Sequence, residues 1–193
     1  MELVVATNNP HKISEIRRIM KGIKILTPKE INVSFNFDET GQTFEENSKG
    51  KARHLFNLIQ KPTIADDSGL SVKFLNEKPG IHSARFGPPN NRYNDKDRMM
   101  YLLSLLANTT ERDAKFICCV SIIIAKDKFF VAQETVAGKI ALHPQGSNGF
   151  GYDPVFLLPN LGKSMAELSN IEKDQYSHRG KALRSCLPVL QSY

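Results

Sequence analysis

The sequence predicts an α/β fold, in which helices pack in layers on a sheet. Two observations carry this prediction. The chain opens with an apolar segment of strand length, Glu2 to Ala6, followed by a short loop and a helical pattern. Strand and helix patterns then intermix along the chain, which is typical of layered α/β folds. At 193 residues, the chain is expected to form a single domain over residues 1–193, with enough residues to bury a sizeable core.

The first half of the chain contains both strand-like and helix-like patterns of apolar residues. Apolar residues alternate with polar ones where a half-buried strand is expected, and recur every three or four residues where a helix is expected. Thr43 and Glu46 have the spacing of a capping box, so a helix should begin after Thr43. The strands predicted here cover 2–6, 31–37, 63–65 and 70–75, and the other helix covers 12–20.

The second half begins with a long loop over 79–93, which is rich in glycine and proline. Asn94, with Asp97 three residues later, should start a helix. Pro188 is expected to kink or end the last helix, because proline lacks the backbone N–H that a helix interior needs. The elements predicted in this half are helices over 94–106 and 177–190, a strand pair over 115–124 and 129–135, and a strand from 154.

The composition favours a small anionic partner. The formal net charge of +6 attracts anions, but the basic residues are spread along the chain and not gathered in a stripe or an arm. We therefore expect no nucleic acid as a partner. No apolar run has the length of a membrane span, and no signal peptide precedes the first strand, so no membrane is expected either. The three cysteines have no metal-binding spacing, so they are predicted to be reduced core residues of a cytoplasmic protein.

Two segments of the first half suggest a phosphate site. Thr7 to Lys12 joins a strand to a helix, whose N-terminus presents unpaired N–H groups to an anion. The alternative is an ordinary helix entry with Asn9 as the N-cap. Further on, Asn47 and Lys51 are four residues apart, so they share a helix face and could meet phosphate oxygens. The alternative there is a solvated helix face.

Two adjacent acids suggest a metal site. Asp66 and Asp67 follow an apolar strand, where their charge is costly unless something compensates it. Mg²⁺ would do so, because proteins usually hold it with one or two carboxylates plus a substrate phosphate. If the strand continues, the two side chains point in opposite directions, so only one need face the metal. The alternative is a turn at Asp67-Ser68-Gly69.

Two segments of the second half suggest recognition of a flat polar ring. The tract from Gly146 to Pro154 combines a flexible backbone, the exposed ring of Phe150 and the carboxylate of Asp153. A glycine-rich turn with Phe150 in the core is the alternative. Lys173 and the run 177–179 place cationic donors beside a helix start, where a cation is mildly unfavourable without another partner. The alternative is a solvated, basic helix end.

In their order along the chain, these segments resemble the inosine triphosphate pyrophosphatase family, also called the dITP/XTP pyrophosphatases, and its bacterial type in particular. Any one motif is weak, but the ordered set covers nearly the whole chain and is specific. Asn8 departs from the pattern, because most members have glycine there, and Ser48 and Gly50 lie where the family's helix is more aliphatic. The matching motifs include Thr7-x-Asn9-x-x-Lys12, Glu39-Thr-Gly-x-Thr-Phe-x-Glu46-Asn47, Ala65-Asp-Asp-Ser-Gly-Leu70, Gly149-Phe-Gly-Tyr-Asp-Pro154 and Ser177-His-Arg-Gly-x-Ala182.

The resemblance implies an elongated, two-lobed α/β structure, with a long twisted mixed sheet flanked by helices and the active site in the cleft between the lobes. It implies that a nucleoside triphosphate and water give the monophosphate and pyrophosphate. Deaminated purine nucleotides (ITP, dITP and XTP) would be the substrates, Mg²⁺ the cofactor and a homodimer the assembly.

The resemblance also assigns roles to residues of this chain. Asp67 would be the general base and, with Glu39, would hold the metal, while Ser68 would contact the nucleotide. Phe150 would stack on the purine, with Gly151 and Tyr152 beside it. Residues expected to hold the triphosphate are Thr7, Asn8, Asn9, Lys12 and Lys51. Residues expected to recognise the edge of the base are Asp153, Lys173, His178 and Arg179.

Two other functions remain open from the sequence. One is the same hydrolysis with another preferred base, such as a modified pyrimidine. The other is a basic, non-catalytic module that binds nucleotides or nucleic acid. Asp67 separates catalysis from binding, because a module that only binds has no need of a general base.

Overall fold

The protein is described by a computed structural model that covers residues 1–88 and 93–190. Part of the loop predicted over 79–93, residues 89–92, lies outside the described residues. The strands are β1 (Glu2–Val5), β2 (Lys24–Leu26), β3 (Thr63–Val72), β4 (Asp113–Ala125), β5 (Lys128–Ile140), β6 (Phe156–Leu158) and β7 (Lys163–Ser164). The helices are α1 (Pro10–Ile19), α2 (Phe44–Ile59), α3 (Asp95–Leu105), α4 (Asn170–Tyr176) and α5 (His178–Leu190).

In the described part of the chain, seven strands form one mixed sheet in the order β2-β1-β3-β4-β5-β6-β7. β1 is parallel to both of its neighbours, with Leu3 opposite Ile25 of β2 and Val5 opposite Ile64 of β3. β6 is antiparallel to β5 and to β7. The prediction of an α/β fold with a mixed sheet is therefore confirmed. The single domain over 1–193 stays a prediction, because the chain divides into two compact units.

The first unit comprises Met1–Ser68, Cys118–Glu134 and His178–Tyr193. Its sheet is covered on both faces, because successive side chains of a strand point in opposite directions. Leu3 of β1 belongs to a buried cluster with Ile16 of α1 and Leu183 of α5. Val4, the next residue of β1, belongs to a separate cluster with Leu55 of α2. Helices α1 and α5 thus cover one face of these strands and α2 covers the other.

The second unit comprises Gly69–Ile117 and Thr135–Ser177 and has its own core. Leu102 of α3 packs in this core with Phe116 of β4 and Phe156 of β6, whose rings lie 4.2 Å apart between centroids. Tyr152 is also buried here, and its hydroxyl donates a hydrogen bond of 2.9 Å to the carbonyl of Ser83.

The strand predicted over 31–37 is wrong. A short 3-10 turn covers Lys29–Ile31, and no strand follows it before α2. The apolar residues of this segment pack on α2 without joining the sheet. Phe35 is buried, and the ring of Phe37 lies 5.7 Å from that of His54. Gly50 leaves room for this ring, since a Cβ at that position would lie 2.7 Å from the ring of Phe37.

Two other local predictions need correction. One strand, β3, runs from Thr63 through Asp66, Asp67 and Ser68 to Val72 in place of the two strands predicted over 63–65 and 70–75, and the alternative of a turn there does not form. Thr43 accepts from the N–H of Glu46, but the Glu46 carboxylate accepts from Gln42, so only half of the capping box forms. The predicted end of the last helix at residue 190 is confirmed, because α5 runs to Leu190 with Pro188 inside it. Among the described helices, none has the length and apolar character needed to cross a membrane.

The cysteines should not react with thiol reagents while the protein is folded. All three are free and buried, and burial raises the pKa of Cys186 to about 12 and those of Cys118 and Cys119 above the ordinary value. Because the thiolate is the reactive form, we expect no labelling by a disulfide reagent at pH 8 and labelling of all three cysteines in denaturant. Rapid native labelling of any cysteine would contradict this placement.

Candidate active site

The loop after β1 is held in place by its own side chains. The Asn9 side-chain oxygen accepts from the N–H groups of His11 (2.9 Å) and Lys12 (3.3 Å), which confirms it as the N-cap of α1. Thr7 Oγ1 accepts from the N–H of Asn9 at 3.2 Å. Asn8 donates from Nδ2 to the carbonyl of Phe35 at 3.0 Å. The loop therefore holds one conformation at the N-terminal end of α1.

Asp66 is the centre of a buried ionic network. Its Oδ2 lies 3.1 Å from Lys12 Nζ and accepts from Arg179 Nε at 3.1 Å and Nη2 at 3.0 Å. Arg179 also donates from Nη1 to Glu15 at 2.6 Å and from Nη2 to Ser68 Oγ at 2.7 Å. Arg179 is 2 % exposed and Asp66 is 1 % exposed. This network fixes the start of α5 to β3 and α1.

Asp67, the next residue of β3, contacts a different set of groups. Its Oδ1 lies 3.0 Å from Lys51 Nζ, and its Oδ2 accepts from Asn47 Nδ2 at 3.3 Å. Lys51 Nζ also donates to Glu39 Oε1 at 2.7 Å. Asn47 Oδ1 in turn accepts from the N–H of Gly41 at 2.9 Å, so this amide holds the Glu39 loop against Asp67. The expectation that adjacent aspartates on a strand point in opposite directions is confirmed.

The two aspartates differ in their electrostatics. Burial alone would raise the pKa of Asp66, but the charges of Lys12 and Arg179 outweigh it and hold that pKa well below its usual range. For Asp67, burial dominates and raises the pKa above the ordinary value, although Lys51 and Lys12 offset part of the rise. Neighbouring acids with pKa values pushed apart are typical of a site in which one has a fixed charge and the other exchanges a proton. Asp67 is the member of this pair suited to proton exchange.

The carboxylates of this unit fit a divalent cation that also binds a phosphate. Glu39 Oε1 and Asp67 Oδ1 both lie within 3.0 Å of one cationic centre, the Lys51 ammonium. No group of three or more His, Cys, Asp or Glu side chains with metal-binding geometry occurs in residues 1–88 and 93–190. A pair of carboxylates is nevertheless the donor set that Mg²⁺ commonly uses when substrate phosphates supply other ligands.

The second unit contains the glycine tract. Lys173 Nζ lies 2.6 Å from Asp153 Oδ2, and both side chains are buried. The same carboxylate oxygen accepts from the N–H of Phe150 at 2.8 Å, and the Lys173 ammonium lies 4.7 Å from the centre of the Phe150 ring. Gly149 has a φ of +77°, and a Cβ there would lie 2.1 Å from Asp153 Oδ2. The tract is therefore shaped around this ion pair, with Phe150 half-buried beside it.

Other predicted site residues have their side chains or N–H groups engaged within their own unit. The N–H of Gly151 donates to Asp95 Oδ2 at 2.7 Å, and the Tyr152 side chain lies in the core. His178 is buried at the start of α5. The roles assigned to these residues and to Arg179 in substrate recognition stay predictions.

Sequence reasoning missed two residues of these networks, Glu15 and Asp95, and it missed the pairing of Asp66 with Lys12 and Arg179. Glu15 had a detectable signal, because it lies three residues after Lys12 and beside Ile16 on the inner face of α1. Asp95 had none, since its partner Gly151 is 56 residues away in sequence. The side chain of Asp66 was expected to point away from that of Asp67, but its ion pairs with Lys12 and Arg179 were not predicted.

The sequence and the fold are those of a known class of proteins. The model of the Ham1 family matches residues 3–189, and the chain belongs to this family. Two solved structures are similar over their full length. The Ham1 protein of Staphylococcus aureus has a TM-score of 0.88 and 41% identity, covering 100% of this chain and 99% of that one. A HAM1 protein from Coxiella burnetii has a TM-score of 0.89 and 36% identity, covering 100% of both.

Relatives in this family have a named activity. A protein of Treponema denticola named dITP/XTP pyrophosphatase is 40% identical over 186 residues, which are 96% of this chain and 96% of that protein. A protein of Staphylococcus epidermidis with the same name is 42% identical over 183 residues, 95% of this chain and 93% of that protein. The family membership predicted from the ordered motifs is thus confirmed.

Proposed function

We propose that this protein hydrolyses deaminated purine nucleoside triphosphates to the monophosphate and pyrophosphate. The substrates are dITP, XTP and ITP. The observation that carries the proposal is the pair of aspartates on β3. Asp66 is held in an ionic network, while the carboxylates of Asp67 and Glu39 both contact the ammonium of Lys51. Relatives named dITP/XTP pyrophosphatase at about 40% identity over nearly the whole chain support the choice of substrate.

The chemistry is assigned to the first unit. The phosphates are assigned to the loop that precedes α1, where the positive end of the helix dipole and the Lys12 ammonium favour negative charge. Asp67 is assigned the proton of the attacking water, because its carboxylate lies outside the ionic network that holds Asp66. Lys51 and Lys12 balance the charge that develops on the phosphates as the bond between the α- and β-phosphates breaks. Glu39 and Asp67 would hold Mg²⁺, which supplies further charge neutralisation when bound.

Recognition of the base is assigned to cationic donors and an aromatic face. Deamination replaces the amino group at purine position 6, a donor, with a carbonyl, an acceptor. Lysine, arginine and protonated histidine donate hydrogen bonds and accept none, so Lys173, His178 and Arg179 suit the carbonyl and leave an adenine amino group unpaired. Phe150 offers its ring to the purine. A buried donor without its acceptor can give discrimination of roughly 10⁴-fold.

A nucleotide panel tests this proposal. We expect dITP, XTP and ITP to yield pyrophosphate and the monophosphate, with dATP slower by about 10²-fold or more. Removal of divalent ions with EDTA should abolish turnover, and Mg²⁺ should restore it. Release of inorganic phosphate in place of pyrophosphate, or equal rates for dATP and dITP, would contradict the proposal. Fastest turnover of a modified pyrimidine nucleotide would move the substrate to that class.

A further inference from the structure

A basic groove runs along the outer face of α1, outside the residues assigned to catalysis. It has a volume of about 860 Å³, and Thr7 and Asn8 of the phosphate loop line one end of it. The α1 residues that line it recur every three or four positions from Pro10 to Arg18, so they form a single helix face. At 1.5 Å per residue, this face extends roughly 12 Å along the helix axis. The groove therefore leads away from the loop proposed to hold the triphosphate.

The charges of the groove favour an anion. Its cationic lining residues are Arg17, Arg18, Lys21 and Lys29. Arg17 is largely neutralised, because its Nη2 donates to both carboxylate oxygens of Glu30, at 2.9 and 2.7 Å. Lys21 and Lys29 are exposed and supply further positive charge. Among the described residues that line the groove, none is acidic.

The polar lining suits phosphate groups in particular. Ser14 adds a hydroxyl group to the cationic side chains, and phosphate oxygens accept from both kinds of donor. The Thr27 hydroxyl donates to Glu30 instead. Single-stranded nucleic acid is a poorer fit, because proteins bind it by stacking its bases on aromatic side chains. The described lining residues include no aromatic side chain.

We infer that this groove binds a linear phosphate chain longer than a triphosphate. The chain would belong to a nucleotide with more than three phosphates, which extends past Thr7 and Asn8, or to a free inorganic polyphosphate. The inference rests on the proposed function only for the position of the triphosphate, at the loop before α1. Binding of a phosphate chain along α1 does not require that the protein hydrolyses nucleotides.

Charge-neutralising variants test the groove. Lys21→Gln with Lys29→Gln removes two exposed cations for which no other partner is described. We expect this double variant to bind a 15-unit inorganic polyphosphate about fivefold more weakly in calorimetry, with a difference that shrinks as salt is raised. The value of kcat/KM for inosine tetraphosphate should fall to a similar extent, while that for ITP stays unchanged.

A variant that should strengthen polyphosphate binding and a matched control complete the test. Glu30→Gln frees the Arg17 charge while an amide oxygen still accepts from Thr27, so polyphosphate should bind about twofold more tightly. Lys61→Gln with Lys78→Gln makes the same change in net charge at exposed positions outside the groove and should have no effect.

The outcomes distinguish the source of the chain and separate this inference from the proposed function. Effects on the tetraphosphate alone would assign the groove to the nucleotide tail, and effects on polyphosphate alone to the free polymer. Lysine-dependent polyphosphate binding without hydrolysis of any nucleotide would uphold the groove and reject the proposed function. The inference about the groove would be wrong if the double lysine variant hydrolysed ITP normally and also kept the wild-type affinity for polyphosphate and the wild-type kcat/KM for inosine tetraphosphate. Tighter lysine-dependent binding of single-stranded DNA than of polyphosphate would also overturn it.

Discussion

Replacing Asp67 with asparagine should lower kcat for dITP by about 10³-fold, with little change in KM. The asparagine can still accept from Lys51, so the geometry of the Glu39–Lys51 pair should persist. It cannot take a proton from water, because an amide is not a base near neutral pH. Pyrophosphate release and calorimetric binding of a non-hydrolysable deoxyinosine analogue separate the loss of chemistry from a loss of binding.

Asp113→Asn provides the matched control for this experiment. Asp113 is 61% exposed in its side chain and forms only a 3.5 Å contact with Lys139, so the same chemical change there should leave activity and stability unchanged. Wild-type turnover by the Asp67→Asn variant would reject Asp67 as the general base. Loss of analogue binding together with turnover would instead assign Asp67 to substrate binding.

The sequence predicted the elements whose signals are local. The buried strand β1 and the helix α1 follow from periodicity, and the Asn9 and Asn94 caps follow from side chains that bond within three residues. The order of the motifs predicted the family and, with it, the candidate site. These signals depend only on residues that are close together in the chain.

The failed strand over 31–37 shows what alternation alone leaves open. A period of two requires an extended backbone with one buried side, but it does not identify the partner. Here Phe35 and Phe37 pack on His54 of α2, at ring distances of 6.0 and 5.7 Å, and the backbone joins no described strand. The apolar side of an extended segment can therefore be buried against a helix, without a neighbouring strand.

The continuation of β3 through Asp66 could not be predicted locally, because the residues that compensate its charge are distant in sequence. Lys12 lies 54 residues away and Arg179 lies 113 residues away. An aspartate in a strand interior is costly until such partners are in place. Sequence reasoning therefore assigned the compensation to a metal at this pair of acids, with a turn as the alternative, whereas Asp66 is compensated by tertiary ion pairs.

Replacing Arg179 with methionine should destabilise the protein by about 3–5 kcal/mol, because it leaves the buried Asp66 and Glu15 without their shared cation. For a chain of this size, this loss corresponds to a fall in Tm of roughly 10 °C. Thermal unfolding followed by circular dichroism measures the change. The surface pair of Arg17 and Glu30 gives the matched control, since Arg17→Met removes a cation that is 42% exposed and should cost less than about 1 kcal/mol.

A double-mutant cycle shows whether the loss comes from unpaired charge. Glu15→Gln alone removes one partner of Arg179 and should destabilise the protein. In the Arg179→Met background, the same change removes a buried charge that has lost its cation, so it should restore part of the stability. Simple addition of the two losses would mean that the charges of Arg179 and Glu15 do not stabilise each other in the folded protein.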